Sequence, residues 1–310
     1  MARSPRVVAL GGGHGLATTL TALRALTTEI TAIVTVADNG GSSGRLRSEF
    51  GFLPPGDLRM ALAALCSDDE WGRSWAEIMQ YRFTSEGDLN GHAMGNLLLT
   101  ALWDRNEDIV AGLDRVGALL KVVGRVLPMA SEPLDIQGEF QTPEGKKTVQ
   151  GQIQVATAQG RMESLKLIPD SPKICPQSLE AIGNADFITM GPGSWLSSVM
   201  PHVLLKEEAE AIANSAAKKV LIFNMPELGS DIEFAGYTPE EHLDLLLRKA
   251  PQMKFDYALI DPTALTSDSN LQVVIEGLGG ALIVADLVQA GAPKHHDPKK
   301  LTSAFSHILA

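Results

Sequence analysis

The first residues whose types and spacing could do chemistry form a glycine-rich run directly after an apolar segment. Four glycines and one histidine occupy residues 11–15. Glycine lets backbone N–H groups approach a ligand closely, and a helix that begins there directs its unpaired N–H groups toward an anion. Leu16 stands where the dinucleotide fingerprint needs a glycine, and no Gly-Lys-Ser/Thr follows. We predict a phosphate-binding loop, rather than a plain tight turn, with the ligand-binding residues Gly12, Gly13, His14 and Gly15.

A second candidate loop, residues 38–45, follows the β-branched run at residues 31–36. Asp38 could accept a hydrogen bond from a ribose or sugar hydroxyl, or bind a metal ion. The loop also contains the candidate ligand-binding residues Asn39, Ser42 and Ser43. The alternative is a surface loop in which a serine caps the next helix, and the residues alone weigh the two equally. Open α/β sheets bind ligands at the carboxyl ends of their strands, which favours binding.

A third strand-to-glycine turn lies at residues 191–198 and ends in several hydroxyl groups. A capped turn explains one serine and one glycine but not the whole set, so we predict a second phosphate-binding turn. Its candidate ligand-binding residues are Gly191, Gly193 and Ser194.

Two shorter segments carry weaker signals. Residues 91–96 contain His92 and Asn96 with a glycine between them, which indicates close packing or a ligand beside the backbone. We keep Asn96 as a ligand-binding candidate and interpret the lone histidine as structural. Asp57 follows Pro-Pro-Gly and is predicted to cap a helix rather than to bind a ligand. No nucleophile–base pair, metal-binding cysteine cluster or hydrolase elbow is recognisable.

Short buried strands and intervening helices must position these loops. Residues 7–10, 31–36, 186–190, 219–223, 256–260 and 281–285 are apolar runs. The first two flank a helical pattern over 16–26 and should form a right-handed βαβ unit. The fold class that follows is α/β, with a doubly wound, mostly parallel, Rossmann-like sheet.

The middle of the chain departs from this alternation. Helices are expected at 57–68, 73–82, 92–104 and 107–121, which predicts a helical insert over about 57–121. Alternating segments at 122–127, 134–140, 147–155 and 164–168 predict an antiparallel β-hairpin insert over about 122–168. Helices at 176–184, 203–217 and 239–250 separate the later strands. We interpret residues 1–310 as a single domain with these inserts; the alternative is a core with a small antiparallel subdomain.

Composition and charge exclude several partners. The chain has 310 residues, is 45% hydrophobic and carries a formal net charge of -11. Nucleic acids and anionic membranes both require a basic surface, whereas a few backbone amides can still bind a small anion. The two cysteines fit no metal motif, and no apolar stretch approaches the roughly 20 residues that span a bilayer. We therefore expect a cytoplasmic protein with no nucleic-acid binding and no membrane insertion.

The glycine-bearing segments, taken together, resemble the YvcK-type family, the gluconeogenesis factors. These segments are residues 8–16, 33–47, 54–59, 91–98 and 191–194, and the resemblance runs from residue 7 to about residue 301. The family is grouped with the 2-phospho-L-lactate transferases of deazaflavin coenzyme synthesis. The resemblance implies a regulator that binds a UDP-sugar, UDP-N-acetylglucosamine, and that links carbon supply to cell-wall precursor synthesis and cell shape.

The same resemblance implies a protein partner and further site residues. The partner would be the enzyme that makes glucosamine phosphate. Tyr257, whose aromatic face would lie beside uracil, and His295 in the 293–297 loop would contact the UDP-sugar. Asn224 begins a run that corresponds to a family motif but is much altered here. The family also has threonine at His14, a second aspartate at Asn39 and an arginine near His295, and these departures could change affinity, ligand choice or metal dependence.

Two functions from different classes remain open. The preferred one is a non-enzymatic nucleotide-sugar sensor, because the loops bind phosphate and no nucleophile is evident. The alternative is a transferase that moves a phosphate-bearing group from an NDP-linked donor, with a divalent cation such as Mg²⁺ on Asp38 or Asp57. Asn39 disfavours the transferase because it removes a carboxylate. An NAD-type oxidoreductase is weaker still, because Leu16 breaks its glycine pattern. The metal requirement and a homo-oligomeric state stay open.

Overall fold

The computed structural model describes residues 3–105, 108–226 and 237–309. Its strands fall into a parallel sheet, an antiparallel sheet and a hairpin. In chain order they are β1 (Val7–Gly11), β2 (Ile30–Val34), β3 (Arg125–Pro128), β4 (Asp135–Thr142), β5 (Gly145–Gln150), β6 (Arg161–Ile168), β7 (Phe187–Met190), β8 (Lys218–Ile222), β9 (Tyr257–Ile260), β10 (Ala281–Val284), β11 (Val288–Gln289) and β12 (Ala292–His296).

Helices cover both faces of the parallel sheet. They are α1 (Gly13–Leu23), α2 (Gly41–Phe50), α3 (Pro55–Ala64), α4 (Glu70–Gln80), α5 (Met94–Asp104), α6 (Ile109–Leu120), α7 (Gln152–Ala156), α8 (Pro176–Asn184), α9 (Met200–Leu204), α10 (Lys206–Asn214), α11 (Pro239–Lys249), α12 (Leu271–Gly277) and α13 (Pro298–Ile308). A π-helical turn, Trp195–Val199, precedes α9, and a 3-10 turn, Pro262–Ala264, follows β9. No helix in the described ranges is long and apolar enough to cross a membrane.

The parallel sheet has the doubly wound order that the sequence predicts. Its seven strands run β10-β9-β8-β7-β1-β2-β3, and all neighbours pair in parallel. The five residues of β1 are all buried, as a strand covered on both faces requires. Successive strands move outward from β1 on one side and from β7 on the other. The β1–β7 boundary is therefore the switch point at which such sheets bind ligands.

The predicted antiparallel region is confirmed except at its first strand. β4 pairs antiparallel with β5 and β6, which confirms a separate small sheet. The segment predicted at 122–127 is instead β3, which pairs in parallel with β2 and forms an edge of the main sheet. This assignment was wrong because hydrophobic spacing does not reveal which strand a segment pairs with. Helices α3 to α6 lie between β2 and β3, where the helical insert was predicted.

Three other local assignments need correction. Residues 151–155 were predicted as part of a strand, but Gly151 ends the extended run and α7 follows. The helix predicted over 203–217 is divided at Leu205, whose extended backbone separates α9 from α10. The 293–297 segment is not a loop, because β12 pairs with β11 in a hairpin. Each case is a short element whose conformation depends on tertiary contacts.

Candidate functional site

The glycine loop lies at the carboxyl end of β1 and leads directly into α1. Gly13 has a φ of 58°, a conformation that favours glycine, and Gly12 is the N-cap of α1. A Cβ atom at Gly12 would lie 2.5 Å from both Asp57 Oδ2 and Thr35 Cγ2. The Gly13 N–H donates to the Asp57 carboxylate. The loop is therefore packed so closely against neighbouring elements that position 12 has no room for a side chain.

The 191–194 turn faces the glycine loop across the β1–β7 boundary. A Cβ atom at Gly15 would lie 2.1 Å from the carbonyl oxygen of Pro192, so the two loops touch through their backbones. Gly193 donates its N–H to Asn224 Oδ1 at 2.9 Å, and Asn224 Nδ2 donates to the Gly193 carbonyl at 2.9 Å. Asn224 thus positions the turn, and both polar atoms of its side-chain amide are used in these two hydrogen bonds. Gly191, with a φ of 78°, begins the turn.

Ser194 plays the capping role that was its alternative interpretation. Its Oγ accepts from the Ser197 N–H at 3.1 Å and from the Ser197 hydroxyl at 2.6 Å, at the start of the π-helical turn. Ser198 from that turn also reaches the glycine loop, since a Cβ at Gly12 would lie 3.2 Å from its Oγ. The capping role of Ser194 is compatible with a phosphate contact, because the hydroxyl groups of this turn lie beside the glycine loop.

The starts of α1, α2, α3 and the π-helical turn meet at this one edge of the sheet. Gly12 and Ser194 cap the first and last of these, and Asp57 lies in the first turn of α3. Ser43 in the first turn of α2 is buried, and a Cβ at Gly56 would lie 2.3 Å from its Oγ. Helix N-termini carry unpaired N–H groups and partial positive charge. Helix starts that converge in this way favour negatively charged groups such as phosphates.

Two carboxylates lie beside these helix starts. Asp38 Oδ1 accepts from the Gly40 N–H at 2.8 Å, and its Oδ2 lies 3.2 Å from a Cβ built at Gly56. Enclosure of the Asp57 carboxyl, followed by the charge of Asp38, raises the pKa of Asp57 to about 7. The described residues hold no group of three or more His, Cys, Asp or Glu side chains that could bind a metal ion alone. Two carboxylates fit Mg²⁺, which usually takes its remaining ligands from water and substrate phosphates.

A buried polar network lies beneath the second loop. Ser42 Oγ is 3.0 Å from His92 Nδ1 and accepts from Asn96 Nδ2 at 3.0 Å. Asn96 Oδ1 accepts from Arg59 Nε at 2.9 Å. The Ser42–His92 contact resembles a nucleophile–base pair, but both residues are buried and the hydroxyl is occupied. Ser42 and Asn96 therefore support the loop through buried hydrogen bonds.

The side chain of Asn39 contacts the segment between β5 and β6 and is not placed as a second metal ligand. Its Nδ2 donates to Gln154 Oε1 at 3.2 Å, and its Oδ1 accepts from the Ile153 N–H at 3.4 Å. A Cβ at Gly151 would lie 2.4 Å from Asn39 Nδ2, and one at Gly40 would lie 3.3 Å from Ile153 Cδ1. The start of α7 is thus held against the 38–41 loop.

Two histidines beside the glycine loop, His14 and His295, lie close enough for their charges to interact. His14 is exposed in the first turn of α1, and His295 lies on β12. Desolvation, followed by the charges of His295 and Arg59, lowers the pKa of His14. His296 points the other way, is buried, and lies with Nε2 3.1 Å from the Phe223 carbonyl. His14 and His295 are therefore the exposed imidazoles beside the glycine loop.

Tyr257 does not lie at this site, which corrects its assignment as a ligand contact. It is the first residue of β9 and pairs with Val220 and Ala281. The site loops follow the last residues of parallel strands, so Tyr257 is at the opposite edge. Its ring lies beneath Lys218 Nζ at 5.4 Å. The altered run after Asn224 falls partly outside the described residues, which resume at residue 237.

Two residues beside the candidate site, Arg59 and Gln154, were not assigned to it from the sequence, and Asp57 was given a site role only in the transferase alternative. Asp57 was interpreted as a cap, although a carboxylate two residues into a helix after Pro-Pro-Gly could have signalled a ligand-facing turn. Arg59, two residues further along α3, is buried. Gln154 sits on α7, far from Asn39 in sequence. Only the folded topology brings Gln154 and Asn39 together.

Comparison with known proteins places this geometry in a family. The family model of 2-phospho-L-lactate transferase CofD matches residues 7–277. The chain belongs to the CofD family. A "Putative gluconeogenesis factor" from Mycobacterium tuberculosis H37Rv is 43% identical over 311 residues, covering 98% of this chain and 90% of that protein. A "Gluconeogenesis factor" from Listeria monocytogenes EGD-e is 36% identical over 264 residues, covering 85% and 80%.

A solved structure agrees with the fold over the whole chain. The crystal structure of a UPF0052 family protein from Bacillus halodurans has a TM-score of 0.86 and 32% sequence identity. The match covers 99% of this chain and 100% of that one. Within the CofD family, the chain therefore belongs with the gluconeogenesis factors, which confirms the family assignment made from the glycine-bearing segments.

Proposed function

We propose that this gluconeogenesis factor is a non-enzymatic sensor of a nucleoside-diphosphate sugar, with UDP-N-acetylglucosamine as its ligand. The observation that carries the proposal is the contact between the 12–15 loop and the 191–194 turn at the switch point, with several helix starts directed at one place. That arrangement suits a diphosphate. The proposed ligand-binding set is Gly12, Gly13, His14, Gly15, Asp38, Ser43, Gly191, Gly193, Ser194 and His295.

The sensor interpretation is supported by what surrounds the loops. The Ser–His contact next to them is buried and committed to Asn96, so it supplies no accessible nucleophile. The relatives' name connects the family with carbon metabolism. The signal would pass to a protein partner, the enzyme of glucosamine phosphate synthesis, and so to cell-wall precursor supply and cell shape. In this proposal Asn39, Ser42, Asn96 and Asn224 position the loops.

Isothermal titration calorimetry with UDP-N-acetylglucosamine tests the proposal. The titration is made with and without Mg²⁺, with GDP and NAD as comparison ligands, and the recovered nucleotide is analysed for breakdown. Selective, saturable binding with the ligand intact is the expected result. Consumption of the ligand in proportion to protein, or a preference for GDP or NAD, would contradict it.

A Gly12→Ala variant tests the site itself. The added methyl group would overlap Asp57 Oδ2 and Thr35 Cγ2, both 2.5 Å away, and displace the carboxylate that fixes the Gly13 amide. We expect at least about a 10-fold loss of nucleotide affinity, which corresponds to about 1.4 kcal/mol. Gly183→Ala is the matched control, because nothing lies within 4 Å of its Cβ. Equal affinity of the two variants would remove the glycine loop from the site.

A transferase remains the second candidate, for a specific reason. The Asp57 carboxyl, with a pKa of about 7 beside Asp38, can hold or release a proton near neutral pH at the phosphate-binding edge. An acceptor oxygen would form a bond to the distal phosphorus of an NDP-linked donor while the bridging bond breaks and nucleoside monophosphate leaves. Release of nucleoside monophosphate that is abolished by Asp38→Ala would establish this function. Intact donor after prolonged incubation would exclude it for that donor.

A further inference from the structure

Helix α7 connects the antiparallel sheet with two segments of the candidate site. Its buried residue Val155 belongs to the main core. The helix packs against the π-helical turn, and Asn39 of the second loop bonds to the Gln154 side chain and to the Ile153 N–H. Five residues are too few for a stable isolated helix, so these contacts determine where α7 lies.

Ile153 on this helix is an apolar side chain that the fold leaves exposed beside the second loop. Of its surface, 51% is exposed, whereas Val155 two residues later is buried. Ile153 Cδ1 lies 3.3 Å from the Cβ position of Gly40, and Asp38 Oδ1 lies 3.4 Å from the same point. An apolar side chain and a carboxylate therefore flank one glycine. A ligand that covers Ile153 removes apolar surface from water, which favours binding.

The space next to this pair is open. A Cβ built at Gly41 would meet no atom of the described residues within 4 Å, and one at Gly13 would meet Asp57 Oδ1 at 4.0 Å. Asp38 Oδ2 lies 3.2 Å from the Cβ position of Gly56, the residue before Asp57, which accepts from the Gly13 N–H. The Asp38 carboxylate therefore lies between the glycine loop and Ile153.

We propose that Ile153 and Asp38 form the sugar subsite of the nucleotide-sugar site. Ile153 contacts the methyl group of the acetamido substituent, and Asp38 accepts a hydrogen bond from a sugar hydroxyl. That methyl group is the only one in UDP-N-acetylglucosamine, and the other substituents of its sugar ring are hydroxyl or hydroxymethyl groups. An apolar wall with one oriented polar group is typical of ligand sites. The proposal rests on the proposed function and adds the residue that selects an N-acetylated sugar.

UDP-N-acetylglucosamine and UDP-N-formylglucosamine are matched probes, because they differ only in a methyl group replaced by hydrogen. Covering one methyl group corresponds to about a 4-fold preference, which we expect of wild type for the N-acetyl ligand in calorimetric titrations. Ile153→Ala should bring that ratio to about 1 and leave the affinity for UDP within about 2-fold. Val273→Ala shortens another exposed side chain, 70% exposed on α12, and should keep the ratio.

The titrations separate failure of this inference from failure of the proposed function. If wild type binds neither UDP-sugar, the proposed function is wrong. Equal affinity of wild type for the two sugars overturns the Ile153 contact while nucleotide-sugar binding stands. A preference that persists in Ile153→Ala, or that is lost equally in Val273→Ala, also overturns it. A matching loss of affinity for UDP in Ile153→Ala would place the side chain at the nucleoside, against the proposal. Circular dichroism of each variant confirms that the fold is retained.

Discussion

The carboxyl group of Asp57 shows how one residue combines structural and functional work. It lies in the first turn of α3, accepts from the Gly13 amide of another helix and sits beside Asp38. A carboxylate at a helix start is ordinarily stabilised in its charged form. Here enclosure and a like charge outweigh that effect and raise its pKa to about 7. The Asp57 carboxyl can therefore hold a proton when no cation is bound and release that proton when a cation binds.

The raised pKa predicts a specific pH dependence of stability. The unfolded value is 3.8, so between about pH 4 and pH 7 the folded state holds a proton that the unfolded state has lost. Stability contributed by this group must then fall as pH rises through that window and level off above it. Because Asp57 is only half-buried, we expect a change on the order of 2 kcal/mol.

Asp57→Asn should remove this slope, since asparagine does not titrate. Urea denaturation of wild type and the variant at pH 4.5, 6 and 7.5 measures the difference, with the exposed Asp268→Asn as a control. The stability of Asp57→Asn relative to wild type should rise with pH. A constant difference across the three pH values would show that Asp57 titrates at its ordinary pKa.

At the scale of elements, the α9–α10 corner depends on a buried histidine–glutamate contact. His202 Nδ1 on α9 lies 2.9 Å from Glu208 Oε1 on α10, and both side chains are fully buried. Among the described residues, His202 Nε2 and Glu208 Oε2 have no hydrogen-bond partner. Burial raises the pKa of Glu208 while the charge of His202 lowers it. The pair joins two helices where a single continuous helix was predicted.

Removing one partner should cost more than removing both. Glu208→Ala leaves His202 buried without its partner, and we expect a loss of about 3–5 kcal/mol in the free energy of unfolding. The double replacement His202→Leu with Glu208→Leu should be less destabilising than Glu208→Ala, because it buries no unpaired charge. Chemical denaturation of wild type, the single variant and the double variant measures the loss of unfolding free energy in each variant. A single-variant loss below about 1 kcal/mol would show that the pair contributes little.

The parts of the fold that sequence could predict were those set by local pattern. Buried runs and helical spacing identified six of the seven parallel strands and most helices, and the glycine runs located the two facing turns. The β3 segment was misassigned because its partner, β2, lies across a long helical stretch. Tyr257 was misplaced because the resemblance carried no information on which end of β9 it occupies. Arg59 and Gln154 were missed because their contacts come from remote parts of the chain.

At the scale of the whole molecule, the two halves of the sheet meet through backbone contact. Gly15 on the β1 side touches the Pro192 carbonyl on the β7 side, with no side chain between them. Asn224 fixes the second side through its two hydrogen bonds to Gly193. The relative position of the halves is therefore set by the β1–β7 pairing together with this backbone contact beside the proposed ligand site. In a chain of net charge -11, the groups proposed to bind an anion lie along this one boundary.

Gly15→Ala should separate the two halves at that seam. The new methyl group would lie 2.1 Å from a carbonyl oxygen that cannot rotate away, so one loop must shift. We expect a loss of about 1–3 kcal/mol in stability, as for other overpacked sites, together with reduced nucleotide affinity. Thermal denaturation and calorimetry measure both, and Gly277→Ala, with nothing within 4 Å, is the control. An unchanged melting temperature would show that the seam tolerates separation.

The contact between α7 and the 38–41 loop has an evolutionary consequence. The antiparallel sheet has its own strand ladders, and its apolar residues, such as Ile136 and Leu165, belong to the same buried core as the parallel sheet. Gln154 and Ile153 also contact the 38–41 loop, at the edge of the candidate site, through Asn39 and Gly40. Descendants of this chain can thus change in ligand preference through substitutions in the antiparallel insert while the glycine turns stay unchanged.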